Sequence, residues 1–189
     1  MDKKKGNPMI GLEGKTLHSA RLNYKLLEDC HKSALAEILS SPAITEPAGF
    51  RTAQSSAQFD EFYAGLTSVH TGVGIFLGDT LIGYIHVNKE KSNDPVLKNL
   101  PCVSVGFAIG KQWQRRGFGA EMLEEITAYL LTRFAACYAD CFVENEASRR
   151  TIEKCGYHYV EDYSFFFKGL GEEKVCHSYL RVAPDTPAK

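Results

Sequence analysis

The chain has no long apolar run, no excess of either charge and no paired-cysteine motif, and each absence removes a class of function. No stretch approaches the ~20 apolar residues that span a bilayer, so no membrane partner is expected. Lys and Arg number 22 against 23 Asp and Glu, a net charge of −1. That balance gives no global basic field to gather nucleic acid, so any anion site has to be local. Six cysteines, Cys30, Cys102, Cys137, Cys141, Cys155 and Cys176, lie in apolar contexts with no CxxC pair and no histidines at zinc-finger spacing. They read as reduced core thiols, and no metal site is expected. The opening "MDKKKGNPMIGLEGK" is basic and then polar, without an apolar segment, so the expected location is the cytoplasm.

What is present is one continuous α/β text of 189 residues, the size of a single domain. Residues 1–15 and 184–189 read as loose tails around a domain over 16–183. "LHSARLNYKLL" alternates as a strand, and "EDCHKSALAEIL" follows as a helix with Asp29 as its N-cap and Ala34, Leu35, Ile38 and Leu39 as its apolar face. After a proline-broken segment, "AQFDEFYAGL" returns to helical spacing. "VGIFL", the turn "GDT" and "LIGYIHVNK" read as a hairpin. The strand "CVSVGFAIG" carries Gly106 inside it, the mark of a bulge or of a close approach by another group. A helix of about four turns over 117–134 comes next, then a strand "CYADCFV", a short helix in "ENEASRRTIEKCG" stopped by Gly156, and a closing strand pair, "YHYVEDYSFFFKG" and "KVCHSYLRV".

The segment "QRRGFGAE" sets Gly117 and Gly119 where a helix begins. Glycine inside a helix costs roughly 1 kcal/mol relative to alanine, so the pair needs a reason. One reason is an anion: the first amides of a helix have no internal partner, glycine clears a path to them, and Arg115 and Arg116 add charge. The other is a glycine-softened turn with solvated arginines. A P-loop is excluded because no GxxxxGK is present, and a dinucleotide fingerprint because Met122 stands where its third glycine belongs.

With the strand before it and the long helix after it, Gln114–Gly119 resembles the acyl-CoA loop of the GNAT N-acetyltransferase superfamily, (Q/R)-x-x-G-x-(G/A). "CFVENEASRRTIEKCGY" is similar to that family's Asn-x-x-Ser/Ala block, and the early "SARLNYKLLEDC" resembles the ribosomal-protein (RimJ/RimL-like) branch. The resemblance implies an α/β (α+β) fold, a mixed, mostly antiparallel sheet of about six to seven strands flanked by helices, with a splayed parallel pair at the cofactor site. It implies acetyl-CoA as cosubstrate, held by the backbone of Phe107, Ala108 and Ile109, by Gln114, Arg115, Arg116, Gly117, Phe118, Gly119 and Ala120, and by Asn145 and Ser148.

Asn145 and Ser148 are also the implied catalytic pair, Ser148 next to the leaving thiolate; both are equally good helix-start residues. The chain departs from the family at Val105, where a basic glutamate is common, and at Ile152, where many relatives carry an acidic tyrosine. Glu144, His86 and Ser104 are the alternatives for taking the amine proton, and none is preferred. The implied acceptor is an amine, a protein N-terminal α-amine or a small molecule, attacking directly in a ternary complex. It is expected against residues 42–63 and "YSFFFKG", walled by Phe50, Phe59, Tyr63, Phe165 and Phe167, with Glu46 or Glu61 for its charge. A non-catalytic acyl-CoA sensor and a plain phosphate-binding domain are the competing readings, and the chain is expected as a monomer or homodimer.

Overall fold

The computed structural model describes residues 10–186. Its centre is one eight-stranded sheet in the order β1-β2-β3-β4-β5-β6-β8-β7. The strands are β1 (Leu17–His18), β2 (Asn23–Leu26), β3 (Gly72–Leu77), β4 (Thr80–Glu90), β5 (Cys102–Ile109), β6 (Ala136–Phe142), β7 (His158–Phe167) and β8 (Glu172–Val182). Every neighbouring pair is antiparallel except β5 and β6. The helices are α1 (Lys32–Ile38), α2 (Pro42–Thr45), α3 (Ser56–Ser68), α4 (Phe118–Leu131) and α5 (Glu146–Lys154).

Strand alternation sorts the helices onto two faces. Tyr84 and Ala108 point to the face where Leu35, Leu39, Tyr63 and Leu66 of α1 and α3 close a core. Val103, Val105, Cys137 and Ala139 point to the other, where Met122, Leu123, Ile126 and Leu130 form the apolar stripe of α4 and Ile152 that of α5. Met122, Leu123 and Leu130 are wholly shielded from solvent, and each contributes about 1.5–3 kcal/mol relative to an exposed side chain.

Several expectations change. The strand expected over 17–27 is two strands around a bend, with Leu17 opposite Tyr24, which brings the sheet to eight strands. Asp29 is not an N-cap: it lies in a 3-10 turn (Asp29–His31) capped by Glu28, whose side chain accepts from the His31 amide while the His31 ring accepts from the Glu28 amide. The long helix stops at Leu131, short of Phe134. Of the stretch 1–15 expected to be loose, residues 1–9 lie outside the described residues. Ile10 and Leu12 are buried in the main core, and the Tyr129 hydroxyl donates to the carbonyls of Ile10 and Gly11, both at 3.0 Å. Of the C-terminal stretch, 187–189 lie outside the described residues, while the Thr186 hydroxyl donates to the Ala135 carbonyl at 3.0 Å.

Candidate active site

The site begins where two strands part. Parallel pairing of β5 with β6 runs from Cys102↔Ala136 to Val105↔Ala139 and stops, although β5 continues to Ile109 beside β4 and β6 to Phe142 beside β8. Gly110 donates its amide to the Ile82 carbonyl of β4 at 2.8 Å, so by the alternation of an antiparallel ladder Phe107 and Ile109 aim their backbone groups at the gap. The Gln114 side chain fills part of that demand, its Nε2 donating to the Ile109 carbonyl at 2.9 Å.

A cavity of about 730 Å³ opens from this gap. No bulge accompanies Gly106, since the β4–β5 register is unbroken. The glycine is explained by its neighbour: a Cβ there would fall 2.8 Å from Nε2 of His86, whose ring covers it.

The loop ahead of α4 turns through two left-handed residues, Arg115 at φ 59° and Gly117 at φ 81°, the latter as N-cap. The first bond of the helix runs from the Glu121 amide to the Gly117 carbonyl at 3.0 Å, leaving the amides of Phe118, Gly119 and Ala120 ahead of it without an intrahelical partner. The loop is braced from the bend between β1 and β2. The Glu121 carboxylate accepts from the Ser19 hydroxyl (2.6 Å), the Arg21 amide (2.8 Å) and Arg21 Nε (2.7 Å), and Arg21 Nη1 donates to the Arg116 carbonyl at 3.1 Å. Burial pushes the Glu121 carboxyl up, and these bonds and the guanidinium charge more than reverse it, leaving it below the usual range.

Most of the residues expected from sequence meet in this cavity: Phe107, Ala108 and Ile109 from β5; Gln114, Arg115, Gly117, Gly119 and Ala120 from the loop and α4; and Asn145 and Ser148 from α5. Two side chains do not. Arg116 lies over the Trp113 ring, 5.3 Å from its centre, and Phe118 is buried beneath Arg21. Arg150 and Lys154, one helical turn apart on α5, line the cavity instead, as the sequence reading failed to anticipate. Their i, i+4 spacing after the asparagine was the available signal.

Asn145 serves its helix: Oδ1 accepts from the Ser148 amide at 3.1 Å, and Nδ2 donates to the Pro47 carbonyl at 3.4 Å. The Ser148 hydroxyl makes no hydrogen bond within the described protein and faces the cavity. Ile152 is fully buried in the α4 core, and Val105 points to the same side.

Among the groups weighed for the proton, Glu144 is exposed and salt-bridged to Lys174 at 3.1 Å; its own backbone amide and then Lys174 hold its carboxyl low. Ser104 and His86 both line the cavity. His86 stacks on Tyr84 at 6.0 Å, and burial lowers its imidazole, so it is neutral near pH 7.

Of the expected acceptor walls, Phe167 lines the cavity, edge-on to Phe142 at 4.9 Å. Tyr63 is core, its hydroxyl donating to the Glu28 carbonyl at 2.6 Å, and Phe165 is 55% exposed on the edge strand β7. Glu61 lines a separate groove of about 540 Å³ along α3, which also ends at His86.

An otherwise antiparallel sheet whose one parallel pair parts at its end, with the start of α4 lining the cavity there, sets the class of fold. Residues 21–158 match the Acetyltransferase (GNAT) domain, and the chain belongs to the GNAT acetyltransferase family. No curated protein sequence matches it.

Solved structures share its fold at low identity. A GNAT-family acetyltransferase from Bacillus anthracis is 16% identical, with a TM-score of 0.76 over 90% of this chain and 99% of that one. RimL, a ribosomal-protein α-N-acetyltransferase in complex with coenzyme A, is 15% identical, with a TM-score of 0.71 over 89% and 98%. A spermidine N-acetyltransferase from Vibrio cholerae, in complex with coenzyme A and spermine, is also 15% identical, with a TM-score of 0.71 over 87% and 97%. Among the described residues no cluster fits a metal ion, and no helix is long and apolar enough to cross a membrane.

Proposed function

We propose that the protein is an acetyl-CoA-dependent N-acetyltransferase acting on an amine in the cytoplasm, with a protein N-terminal amine, as in the ribosomal-protein branch, or a small amine as acceptor. The observation that carries this reading is the gap itself: β5 and β6 stop pairing while both strands continue, leaving the backbone of Phe107 free to bond an extended arm as a missing strand would. The phosphates fit the other end, where the Phe118, Gly119 and Ala120 amides open α4 between Arg115, Arg150 and Lys154.

Gly119 supports the assignment independently. A Cβ there would meet nothing nearer than Thr151 Cγ2 at 3.8 Å, so the protein's own packing does not require glycine, while a residue this small keeps the first amides of α4 open to an approaching phosphate.

Acetyl-CoA, when bound, supplies a thioester whose carbonyl carbon an amine can attack. The chain's residues orient it, and a backbone amide of β5 polarises the carbonyl. The Ser148 hydroxyl, facing the cavity without a protein partner, protonates the departing sulfur. Val105 and Ile152 carry no group that moves a proton: Ile152 is wholly in the α4 core and Val105 packs into it while also bordering the cavity, so proton transfer falls to other residues.

The test follows free thiol released from acetyl-CoA over a panel of peptides and polyamines. Turnover by wild type, reduced about tenfold or more in Ser148→Ala, is expected for a proton donor. Saturable acetyl-CoA binding with no turnover on any amine would make the protein a sensor.

A further inference from the structure

The register of the sheet places one charged side chain in the gap that the motifs do not mention. Val105 is the last residue of β5 paired with β6, so Gly106 and Asp140 are the next in line, on strands that have already parted. His86 pairs with Gly106 on one side, and Asp140 with Ser178 on the other. His86, Gly106 and Asp140 therefore form a row on the α1–α3 face, with no side chain in the middle. Both His86 and Asp140 line the cavity, together with Ser148.

We propose that Asp140 seats the acceptor as a cation and then takes its proton, so that the substrate class is an amine that arrives as ammonium. This rests on the acetyltransferase reading above.

Three other groups near the gap do not serve. Ser104 has no basicity, Glu144 is tied to Lys174 outside the row, and Val105 faces the core. Asp140 is open to the cavity yet flanked by protein, and burial raises its carboxyl above the usual range despite the hydroxyls of Ser178 and of Tyr163, which donates to Oδ2 at 3.0 Å. The groups facing it are these two, Cys176 of β8 and, farther off, Glu90 of β4, which raises it slightly; no cation pairs with it among the described residues. The His86 ring, neutral and without a protein hydrogen bond, borders both the cavity and the α3 groove, so an acceptor lying along Glu61 reaches the gap past it.

The step balances. An ammonium N–H gives its proton to Asp140, and the freed lone pair forms the C–N bond at the thioester carbon. The C–S bond breaks with its electron pair on sulfur, and the second nitrogen proton reaches the thiolate through Ser148. Asp140 then releases its proton to water.

The experiment measures kcat/KM for spermidine and for an alanine-initiated peptide from pH 6 to 9, with acetyl-CoA affinity measured by calorimetry. The variants are Asp140→Asn and His86→Gln. For Asp140→Asn, kcat/KM is expected to fall ~100-fold at neutral pH with acetyl-CoA affinity unchanged. The residual rate should climb as the neutral amine fraction grows, about tenfold per pH unit across the range for spermidine and levelling off above about pH 8 for the peptide α-amine. A merely structural role would lower the rate without that slope. An Asp140→Asn enzyme within threefold of wild type, or a loss confined to His86→Gln, overturns the assignment while leaving the transferase reading intact. No turnover by wild type with either amine overturns both.

Discussion

Gly106 and His86 are understood only together. Nothing in the backbone at Gly106 is left-handed, and its need for glycine is steric: the imidazole across the ladder occupies the space of its Cβ. Gly106→Ala should therefore displace the ring and cost about 1–3 kcal/mol, as overpacking does. Because the penalty belongs to the pair, Gly106→Ala made in a His86→Ala background should cost much less, and a double-mutant cycle of denaturant midpoints reads the coupling.

Asp140 has the opposite energetics. A carboxyl held above its unfolded value destabilises the fold where it is ionised, and the cost vanishes as pH falls below 3.8, where the unfolded chain is protonated too. Asp140→Asn keeps an acceptor for the Tyr163 hydroxyl and loses the charge. Its urea midpoint at pH 7 should match or exceed that of wild type, with the difference shrinking towards pH 4.

Asp140 could not be read from the sequence as a residue of the site. "CYADCFV" did carry a signal, a single charge in an otherwise apolar strand, but its meaning depends on where β5 and β6 separate, which is a property of two segments far apart in the chain. Ser148 and Gly117, by contrast, belong to local patterns that a sequence reading can single out, and both line the cavity.

At the scale of elements, α4 joins the sheet to the loop. Its apolar face was readable from 3.6-residue spacing, and so was its glycine-softened start. The brace that holds the start was not, because Ser19 and Arg21 lie about a hundred residues upstream of Glu121. What hid β1 is local instead: the bend between His18 and Asn23 folds Leu17–His18 back onto β2 within a segment that alternates as one strand.

The brace predicts a pH-sensitive element. Glu121 has a lowered carboxyl, so its stabilisation is complete above the ordinary value of 4.5 and is lost as pH falls through the depressed folded value. Glu121→Gln should cost about 1.5–3 kcal/mol at pH 7, the range for charged hydrogen bonds, and the gap from wild type should close below pH 4 in denaturant titrations.

The whole molecule is organised around one sheet whose faces have divided tasks. The α4–α5 face carries the larger core together with the loop and the basic residues at the gap, while the α1–α3 face carries the smaller core, Asp140, His86 and the groove that leads to them. Groups from both faces thus meet in one cavity at the parted strands.

Gly119 tests that division most directly. Gly117 is a poor probe, since its φ of 81° makes any substitution strained in its own right. Gly119 is helical and free of close neighbours, so a side chain there disturbs only an approaching ligand. Gly119→Ala, a residue the loop motif allows, should even stabilise the fold, by roughly 0.5 kcal/mol, so the larger and charged glutamate is the informative substitution. The decisive measurement is a calorimetric titration of acetyl-CoA into wild type and Gly119→Glu, with thermal melts confirming that both are folded. Saturable one-to-one binding in wild type and none in Gly119→Glu is the predicted result; no binding in wild type, or equal affinity in the two, would contradict it.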